Sequence, residues 1–276
     1  AEPFAVQGAG EHARTAPAGG ALPYRLVDMH CHLDLMANAE QVAADARARG
    51  IALFDTTVTP AGAGDAHGRF DRAPNVRVGA GLHPWWLADG RCDGTDADRT
   101  ALLAARSRFV GEVGLDFSER HHGSRTAQVA AFEFIMGACA ERPVPGRIIS
   151  LHAVKSAQTV LDILERYGLT HSATCIFHWF SGTGDELVRA RRLGCRFSVS
   201  ERMLASRRGR EYARQIPGDL LLLETDAPPE LGAPYSAEAI EASLDTALDA
   251  LAELRGEQRD RLAACIAATS CELLDL

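Results

Sequence analysis

From Tyr24 onward, short runs of apolar and β-branched residues alternate with longer segments in which apolar residues recur every three or four positions. The short runs predict strands, and the three- to four-residue spacing predicts amphipathic helices. The predicted strands lie in RLVDMH, IALFDTTV, NVRVGAGL, RFVGEVGL, GRIISLH, TCIFHWF, CRFSVS and LLLETD. The predicted helices include 38–49, 125–141, 156–167, 185–192 and two final helices that begin near Ser236 and Glu257.

Eight strands that alternate with helices over about 250 residues favour one fold class, the (β/α)8 TIM barrel. An open doubly wound sheet is disfavoured because no glycine-rich phosphate-binding motif follows the first strand. We therefore expect an α/β protein with a single barrel domain over residues 24–276. The preceding residues, 1–23, are rich in Ala, Gly and Pro without an apolar period, and we expect them to form a flexible tail.

Histidines and carboxylates collect at the carboxyl ends of the predicted strands, where a barrel enzyme keeps its active site. The first strand ends in Asp28, His30 and His32, whose spacing of two places all three on one side of an extended segment. A lone histidine at a strand end is more often structural, but a set in register on several strands predicts a metal site. The later members of the set are His83, Glu112, Asp116, His152, His178, Glu224 and Asp226.

Imidazole and carboxylate ligands without cysteine suit Mg²⁺, Mn²⁺, Zn²⁺ or Fe²⁺. Six candidate ligands exceed what one catalytic zinc usually takes, so we expect two divalent cations about 3.5 to 4 Å apart, with a bridging carboxylate. Glu112 is the better bridge, because Lys155, the chain's one lysine, lies past the end of the fifth strand. The candidate ligands are His30, His32, Glu112, His152, His178 and Asp226, and the histidines read as structural or surface residues are His12, His67, His121, His122 and His171.

Composition narrows the class of protein. With 46% hydrophobic and 24% charged residues the chain can bury a sizeable core. The net charge of −8 gives no overall attraction for nucleic acid or an anionic membrane, so a polyanionic substrate would need a local basic patch or metal ions. The seven cysteines are scattered and form no CxxC pair, which predicts neither disulfides nor a cysteine zinc site. With no long apolar stretch and no signal-peptide pattern, we expect a cytoplasmic protein that does not bind membranes.

The residues at the strand ends also make the chain resemble the TatD-type metal-dependent deoxyribonucleases of the amidohydrolase superfamily. The resemblance rests on DMHCHLD, GLHPW, GEVGLDF, SLHA, FHWFSG and LLLETDAP, in this order between about Leu26 and Pro228. Within that family, the segments RIISLHAVKSAQTVLDILE, FHWFSG and LGCRFSVSERMLASRRGR are most similar to the TatD-like component of Qat anti-phage systems. That similarity implies a role in antiviral defence with partner proteins.

The resemblance implies a ligand set and an activity. His30, His32, Glu112 and Asp226 would hold one metal, and Glu112, His152 and His178 the other, while His83 and Glu224 would act on the substrate phosphate or the attacking water. The implied reaction is hydrolysis of DNA phosphodiester bonds, typically from the 3′ end of a single strand. The alternatives are hydrolysis of another ester, such as D-aminoacyl-tRNA, and a non-catalytic barrel subunit of a defence complex.

The chain departs from the family pattern at three places that are expected to affect substrate binding. Val154 stands where the family usually has an arginine, Pro229 and Glu230 replace the common aromatic after ETDAP, and the C-terminal TSCELLDL lacks the usual asparagine followed by an aromatic. Substrate preference is therefore expected to differ, whereas every ligand position is intact.

The positions of other residues along the chain predict which of them act in catalysis and which bind the substrate. Asp226 is expected to orient the attacking water and accept its proton, with assistance from Glu224 on the same side of the strand. Arg207 and Arg208 lie in an arginine-rich segment after the seventh strand and are candidate phosphate contacts, with a solvated helix surface as the alternative. Trp85 and Trp86 follow His83, and one of them, with Trp85 as the candidate, is expected to stack on a base while the other packs against the barrel rim. Lys155 is a candidate phosphate contact.

Overall fold

The computed structural model describes residues 22–276, so most of the tail predicted for residues 1–23 lies outside the described part. The strands are β1 (Leu26–Cys31), β2 (Ile51–Asp55), β3 (Val76–Val78), β4 (Ala80–Leu82), β5 (Phe109–Asp116), β6 (Ile148–Val154), β7 (Thr174–His178), β8 (Arg196–Val199) and β9 (Leu221–Leu223). The helices are α1 (Ala39–Ala48), α2 (Pro60–Phe70), α3 (Pro84–Ala88), α4 (Gly94–Arg106), α5 (Arg125–Glu141), α6 (Ala157–Arg166), α7 (Leu169–Ser172), α8 (Gly184–Arg192), α9 (Glu201–Leu204), α10 (Arg207–Gln215), α11 (Ala237–Arg255) and α12 (Arg259–Leu274).

The strands form a parallel barrel, as predicted. The third predicted strand is interrupted at Gly79, so that β3 pairs with β2 and β4 pairs with β5. The Gly79 N–H bridges the interruption by donating to the Asp55 carbonyl. The last segment meets the first strand through the Asp226 N–H, which donates to the His30 carbonyl at 2.9 Å. The α/β TIM-barrel architecture expected from the alternation of strands and helices is therefore confirmed.

Apolar packing fills the barrel wall and one end of its interior. A large cluster lies between the strands and the surrounding helices. A second, smaller cluster combines inward-facing strand residues with two residues of α12, and it consists of Val27, Met29, Ala52, Phe54, Ile148, Ile176, Leu222, Cys271 and Leu274. Each strand residue of this cluster precedes the histidine, carboxylate or hydroxyl at the carboxyl end of its own strand, and the other two residues belong to the final helix. The carboxyl end of the barrel is therefore left to the polar set.

Two irregular strands and two close backbone approaches shape that carboxyl end. The pairing register shifts between Asp28 and Cys31 on β1 and between Val110 and Val113 on β5. A Cβ atom on Gly81 would lie 1.9 Å from the Thr57 carbonyl oxygen, so β4 can approach its neighbours only with glycine at this position. These irregularities change which side chains face inward, because alternation along a strand has a period of two residues.

Among residues 22–276, no helix combines the length and apolar character that crossing a lipid bilayer requires.

Candidate metal centre

The centre is built around Glu112 of β5, a carboxylate that is only 1% exposed. Its Oε2 atom faces two imidazoles of the first strand segment, with His30 Nε2 at 3.2 Å and His32 Nε2 at 3.4 Å. Its Oε1 atom faces His152 Nδ1 at 2.8 Å and His178 Nε2 at 3.1 Å. The two oxygens of one carboxylate therefore address two separate pairs of histidines.

Asp226 completes the Oε2 side of the centre. Its Oδ1 atom lies 3.4 Å from His32 Nε2 and 3.8 Å from His30 Nε2. The Asp226 side chain is 21% exposed, compared with 11% for His32 and none for His30. Asp226 has a φ of 56°, a left-handed backbone conformation that is uncommon outside glycine and recurs at functional sites. Asp226 is thus the ligand candidate most open to solvent.

Hydrogen bonds on the far side of three imidazoles aim their remaining nitrogens at the carboxylates. His32 Nδ1 donates to the Thr56 carbonyl at 2.7 Å, and His30 Nδ1 is bonded to the Ser150 hydroxyl at 2.8 Å. His152 Nε2 lies 3.3 Å from Asp116 Oδ2. Such outer partners fix the ring orientation of metal-binding histidines in proteins.

His83 is oriented differently from the other histidines. It caps the amino end of α3, and its Nδ1 atom accepts the Trp85 backbone N–H at 3.1 Å. The neutral ring therefore carries its proton on Nε2, which lies 3.2 Å from Glu112 Oε1. This tautomer makes His83 a hydrogen-bond donor toward the centre.

Glu224 lies behind His178, whereas Asp226 lies at the front of the centre. The Glu224 side chain is fully buried, its Oε2 atom accepts the Ser198 hydroxyl, and its Oε1 atom is 3.7 Å from His178 Nδ1. The geometry places Glu224 as an orienting partner of His178. The strand spacing predicts that Glu224 lies beside Asp226 on the exposed side, where a water would attack. In the structure the Glu224 carboxylate is not on that side.

The Asp28 carboxylate accepts main-chain and hydroxyl donors, and its Oδ1 atom accepts the His30 N–H at 3.2 Å. Its Oδ1 atom accepts the Thr225 N–H at 3.0 Å, and its Oδ2 atom accepts the Thr225 hydroxyl. Burial is the main cause that raises the pKa of Asp28 to about 7. The register shift in β1 accounts for the difference between Asp28 and the pair formed by His30 and His32.

Burial and mutual charge divide the histidines into two protonation classes. Burial, aided by His178, lowers the pKa of His30 to about 3, and burial also lowers the pKa of His83 to about 4. Burial disfavours a charged His32 as well, but the hydrogen bond to Asp226 and the charge of Glu112 outweigh it and raise the pKa to about 9. Glu112 and Glu224 raise the pKa of His178 well above its ordinary value despite burial.

The carboxylates respond in the opposite direction. Burial alone would raise the pKa of Glu112, but the surrounding histidines, led by His83 and His178, hold it well below its ordinary value. Burial likewise opposes the hydrogen bond and charge of His32 that lower the pKa of Asp226. Both groups are therefore carboxylates at neutral pH, and both are available as oxygen ligands.

Unsatisfied buried atoms mark the same place. Within residues 22–276, His30 Nε2 and Glu112 Oε2 are buried at the centre of this site and have no hydrogen-bond partner, and the same holds for His178 Nδ1 and Glu224 Oε1 directly behind it. Leaving a buried polar atom unpaired costs about 1 to 3 kcal/mol, so convergence of such atoms indicates a missing ligand. Candidate ligand atoms within 4.8 Å of one another occur in three sets: His30, His178 and Asp226; His30, His32 and Glu112; and His83, Glu112 and His152. The donor set fits divalent cations.

The four candidate substrate contacts are all exposed side chains. Trp85 is 40% exposed beside His83, and Lys155 is an exposed residue directly after β6. Arg207 and Arg208 are both exposed on α10. Arg207 lines a surface depression of about 490 Å³ together with Ala205, Arg210, Glu211 and Arg214. Arg208 does not line this depression, so the two predicted arginines face different directions.

Several residues of the centre escaped the sequence analysis. Ser150 is bonded to the His30 ring and Ser198 donates to Glu224, and Ser150 lies two residues before His152 on β6. His121, which was read as a structural residue, is buried and stacks on Trp85 with ring centroids 5.6 Å apart. Thr56 contributes a main-chain carbonyl, which no side-chain pattern can reveal.

Comparison with known families agrees with this geometry. A family model described as "TatD related DNase" matches residues 27–275. The chain belongs to the TatD related DNase family.

Curated TatD relatives carry the name 3′-5′ ssDNA/RNA exonuclease TatD. The relative from Dickeya dadantii is 36% identical over 154 residues, which cover 54% of this chain and 56% of that protein. The relative from Citrobacter rodentium is 29% identical over 211 residues, covering 74% and 78%. The first match thus spans little more than half the length of the relative.

Solved TatD structures share the fold. A TatD homolog from Escherichia coli K12 superposes with a TM-score of 0.75 at 21% identity and covers 91% of this chain and 98% of its own. A TatD family hydrolase from Entamoeba histolytica gives a TM-score of 0.75 at 15% identity, with coverage of 92% and 99%. These similarities support the barrel architecture along nearly the whole length of both chains.

Proposed function

We propose that the chain is a divalent-metal-dependent nuclease that hydrolyses phosphodiester bonds of single-stranded DNA from the 3′ end. The observation that carries the proposal is the Glu112 carboxylate, whose two oxygens address separate pairs of histidines at the carboxyl end of the barrel. Membership of the TatD family supports the metal dependence. The matched relatives from Dickeya and Citrobacter, named as single-strand exonucleases, support the substrate class.

The proposed ligands form two sets that share Glu112. One set comprises His30, His32, Glu112 and Asp226, which lie around Glu112 Oε2. The other comprises Glu112, His152 and His178, which lie around Oε1. A bridging carboxylate is typical of two-cation hydrolytic sites, whose cations polarise phosphoryl oxygens and lower the pKa of water. Mg²⁺ and Mn²⁺ suit the carboxylates and Zn²⁺ the imidazoles, so all three are candidates.

The protein's own groups would divide the remaining work. Asp226, the most exposed carboxylate of the set, would orient the attacking water and accept its proton. His83 would donate its Nε2 proton in a hydrogen bond to a phosphate oxygen, because its Nδ1 atom is occupied by the Trp85 N–H. Glu224 would hold His178 in orientation from behind. Trp85, Lys155, Arg207 and Arg208 are the proposed substrate contacts, since all four are exposed.

A side-by-side hydrolysis assay tests the reaction class. Purified protein is incubated with single-stranded DNA labelled at either end, with RNA and with D-aminoacyl-tRNA, each in Mg²⁺, Mn²⁺ or Zn²⁺. We expect stepwise loss of nucleotides from the 3′ end of DNA. Preferential deacylation of the tRNA would replace the nuclease assignment with an ester hydrolase. No hydrolysis of any substrate by cation-loaded protein would favour the non-catalytic barrel subunit.

We further propose that the protein acts in the cytoplasm as a component of an anti-phage system with partner proteins. All seven cysteines are free, which supports a reducing compartment. The defence role rests on the similarity of three segments to the TatD-like component of Qat systems. It is tested by phage plaque counts on cells that carry the complete gene neighbourhood with wild-type protein or with Glu112→Ala. Equal plaque counts would contradict the defence role without affecting the nuclease assignment.

A further inference from the structure

Trp85 is a partly exposed aromatic side chain beside the metal centre. Its ring centroid lies 4.9 Å from that of His83 and 5.8 Å from that of His152, and both contacts are edge to face. His121 stacks on the indole with ring centroids 5.6 Å apart and an interplanar angle of 24°. His121 is 4% exposed whereas Trp85 is 40% exposed. A buried ring therefore supports the indole, while part of the indole surface stays exposed.

The indole is also fixed at its edge. Trp85 Nε1 donates to Asp116 Oδ2 at 2.7 Å, a short hydrogen bond to a carboxylate. Asp116 Oδ1 accepts the Ser118 N–H at 2.8 Å. The Asp116 main chain is held by Gln128, whose side chain bonds both its N–H and its carbonyl oxygen. Asp116 is thus a rigid anchor for Trp85.

The same carboxylate oxygen serves the metal centre. Asp116 Oδ2 lies 3.3 Å from His152 Nε2, and the other ring nitrogen of His152 faces Glu112. One oxygen atom therefore sets both the position of the indole and the orientation of a proposed metal ligand. A displacement of Asp116 would change both at once.

We propose that Trp85 forms a binding subsite for the base of the 3′-terminal nucleotide. Asp116 is the positioning residue that holds both Trp85 and His152 in place. The proposal rests on the proposed nuclease function. The ligand is the base of a single-stranded nucleotide, which stacks on the exposed part of the indole while its phosphate lies at the centre. Base stacking on an aromatic side chain contributes about 1 to 3 kcal/mol and tolerates any base. The subsite therefore selects for an unpaired terminal base without selecting its identity.

The test compares Trp85→Leu with a matched tryptophan variant. Trp86→Leu is the control, because Trp86 also contacts the His83 ring, at 5.5 Å between centroids, but is half-buried beneath the Arg91 guanidinium, which lies 3.9 Å from its ring. Each protein is assayed on an oligonucleotide with an ordinary 3′-terminal nucleotide and on the same oligonucleotide with an abasic 3′-terminal residue. We expect Trp85→Leu to weaken kcat/KM about 5- to 100-fold on the ordinary substrate and less than 3-fold on the abasic one. Equal losses on both substrates, or no loss on either, would overturn the subsite.

A binding measurement keeps the test independent of turnover. Tryptophan fluorescence of the cation-free protein is titrated in EDTA with the two oligonucleotides. We expect the ordinary oligonucleotide to quench a signal that Trp85→Leu removes and Trp86→Leu retains, and the abasic oligonucleotide to quench it weakly. The absence of Trp85-dependent quenching would contradict the subsite. A wild-type protein that binds in this way but hydrolyses no oligonucleotide would contradict the nuclease function alone.

The role of Asp116 is separated from that of Trp85 by a signature at His152. Asp116→Ala should shift the ¹⁵N resonances of the His152 ring and lower kcat about 10- to 100-fold on both oligonucleotides. Trp85→Leu should leave those ring resonances in place. Asp116→Asn provides a second variant that keeps the side-chain shape if the alanine variant unfolds. A His152 ring unaffected by either Asp116 substitution would overturn the positioning role.

Discussion

Strand β6 has a buried polar side chain at each end, and the two ends are built on opposite principles. At its amino end, Arg147 is 2% exposed and directly precedes the strand. Within residues 22–276, its guanidinium donates to main-chain carbonyl oxygens, at Ala104, Ala105, Ser107, Cys139 and Arg142. These carbonyls end α4 and α5, where the helix dipole favours a cation. The charge is buried with its donors paired.

At the carboxyl end, both ring nitrogens of His152 face carboxylates, but this histidine lies beside buried atoms that lack partners. His30 Nε2 and Glu112 Oε2 face each other at 3.2 Å, yet neither makes a hydrogen bond within the described residues. Protein interiors rarely tolerate this arrangement unless a ligand or catalytic role requires it. The comparison teaches that burial of charge does not by itself identify a functional site. Satisfied hydrogen bonds mark the structural end of the barrel, and converging unsatisfied ones mark the chemical end.

Removing a ligand of the centre should produce the largest effect. We expect Glu112→Ala or His30→Ala to reduce DNA hydrolysis to background while the protein remains folded. Each change removes a proposed metal ligand but no part of the apolar clusters. Activity is measured on end-labelled single-stranded DNA, and folding by circular dichroism. Wild-type turnover in a folded variant that lacks both side chains would contradict the metal assignment.

At Arg147 we expect the reverse, a loss of stability with little change in activity. Arg147→Met should lower the free energy of unfolding by about 3 kcal/mol, because buried carbonyl oxygens lose their donor. Activity per folded molecule should stay within twofold of wild type. Urea unfolding measures the loss, and Arg106→Met, an exposed arginine at the end of α4, serves as the control. A neutral Arg147 substitution would break the contrast between the two ends.

A smaller effect is expected from the hydroxyl that orients His30. Ser150→Ala removes the hydrogen bond to His30 Nδ1 and should weaken cation affinity about 10- to 100-fold. Calorimetric titration with Mn²⁺ measures this affinity. Ser172→Ala, which removes an exposed hydroxyl bonded to the Gly168 carbonyl, is the matched control. Unchanged affinity in the Ser150 variant would show that His30 is oriented by the barrel packing alone.

The smallest effect should come from the arginines of α10. Replacing Arg207 and Arg208 with alanine should raise KM for single-stranded DNA and flatten its dependence on log salt by about one unit. The turnover number should change much less, because these side chains are outside the centre. Arg191→Ala with Arg192→Ala, at the end of α8, is the control pair. An unchanged KM and salt slope would identify α10 as a solvated surface.

The sequence was a good guide to the elements and to which polar side chains meet, for identifiable reasons. Helix α5 has the predicted limits because its apolar period is continuous. His30, His32, Glu112, His152, His178 and Asp226 all meet, because parallel strands place their carboxyl ends at one edge of the barrel.

The failures have a physical cause as well. The register shift in β1 separates Asp28 from the following histidines, and no residue pattern in DMHCHLD announces it. Glu224 has the correct spacing from Asp226, yet the left-handed conformation of Asp226 breaks the strand alternation and leaves Glu224 behind His178. Contacts that depend on main-chain direction or on stacking, such as those of Thr56 and His121, arise only from the fold.

The central claim is that the unsatisfied atoms around Glu112 hold divalent cations that hydrolysis requires. It is tested most directly by exhaustive chelation with EDTA, confirmation of metal content by mass spectrometry, and assay of single-stranded DNA before and after cations are returned. We expect cleavage to disappear with the metal and to return with Mg²⁺ or Mn²⁺. Undiminished cleavage by protein shown to contain no metal would contradict the claim.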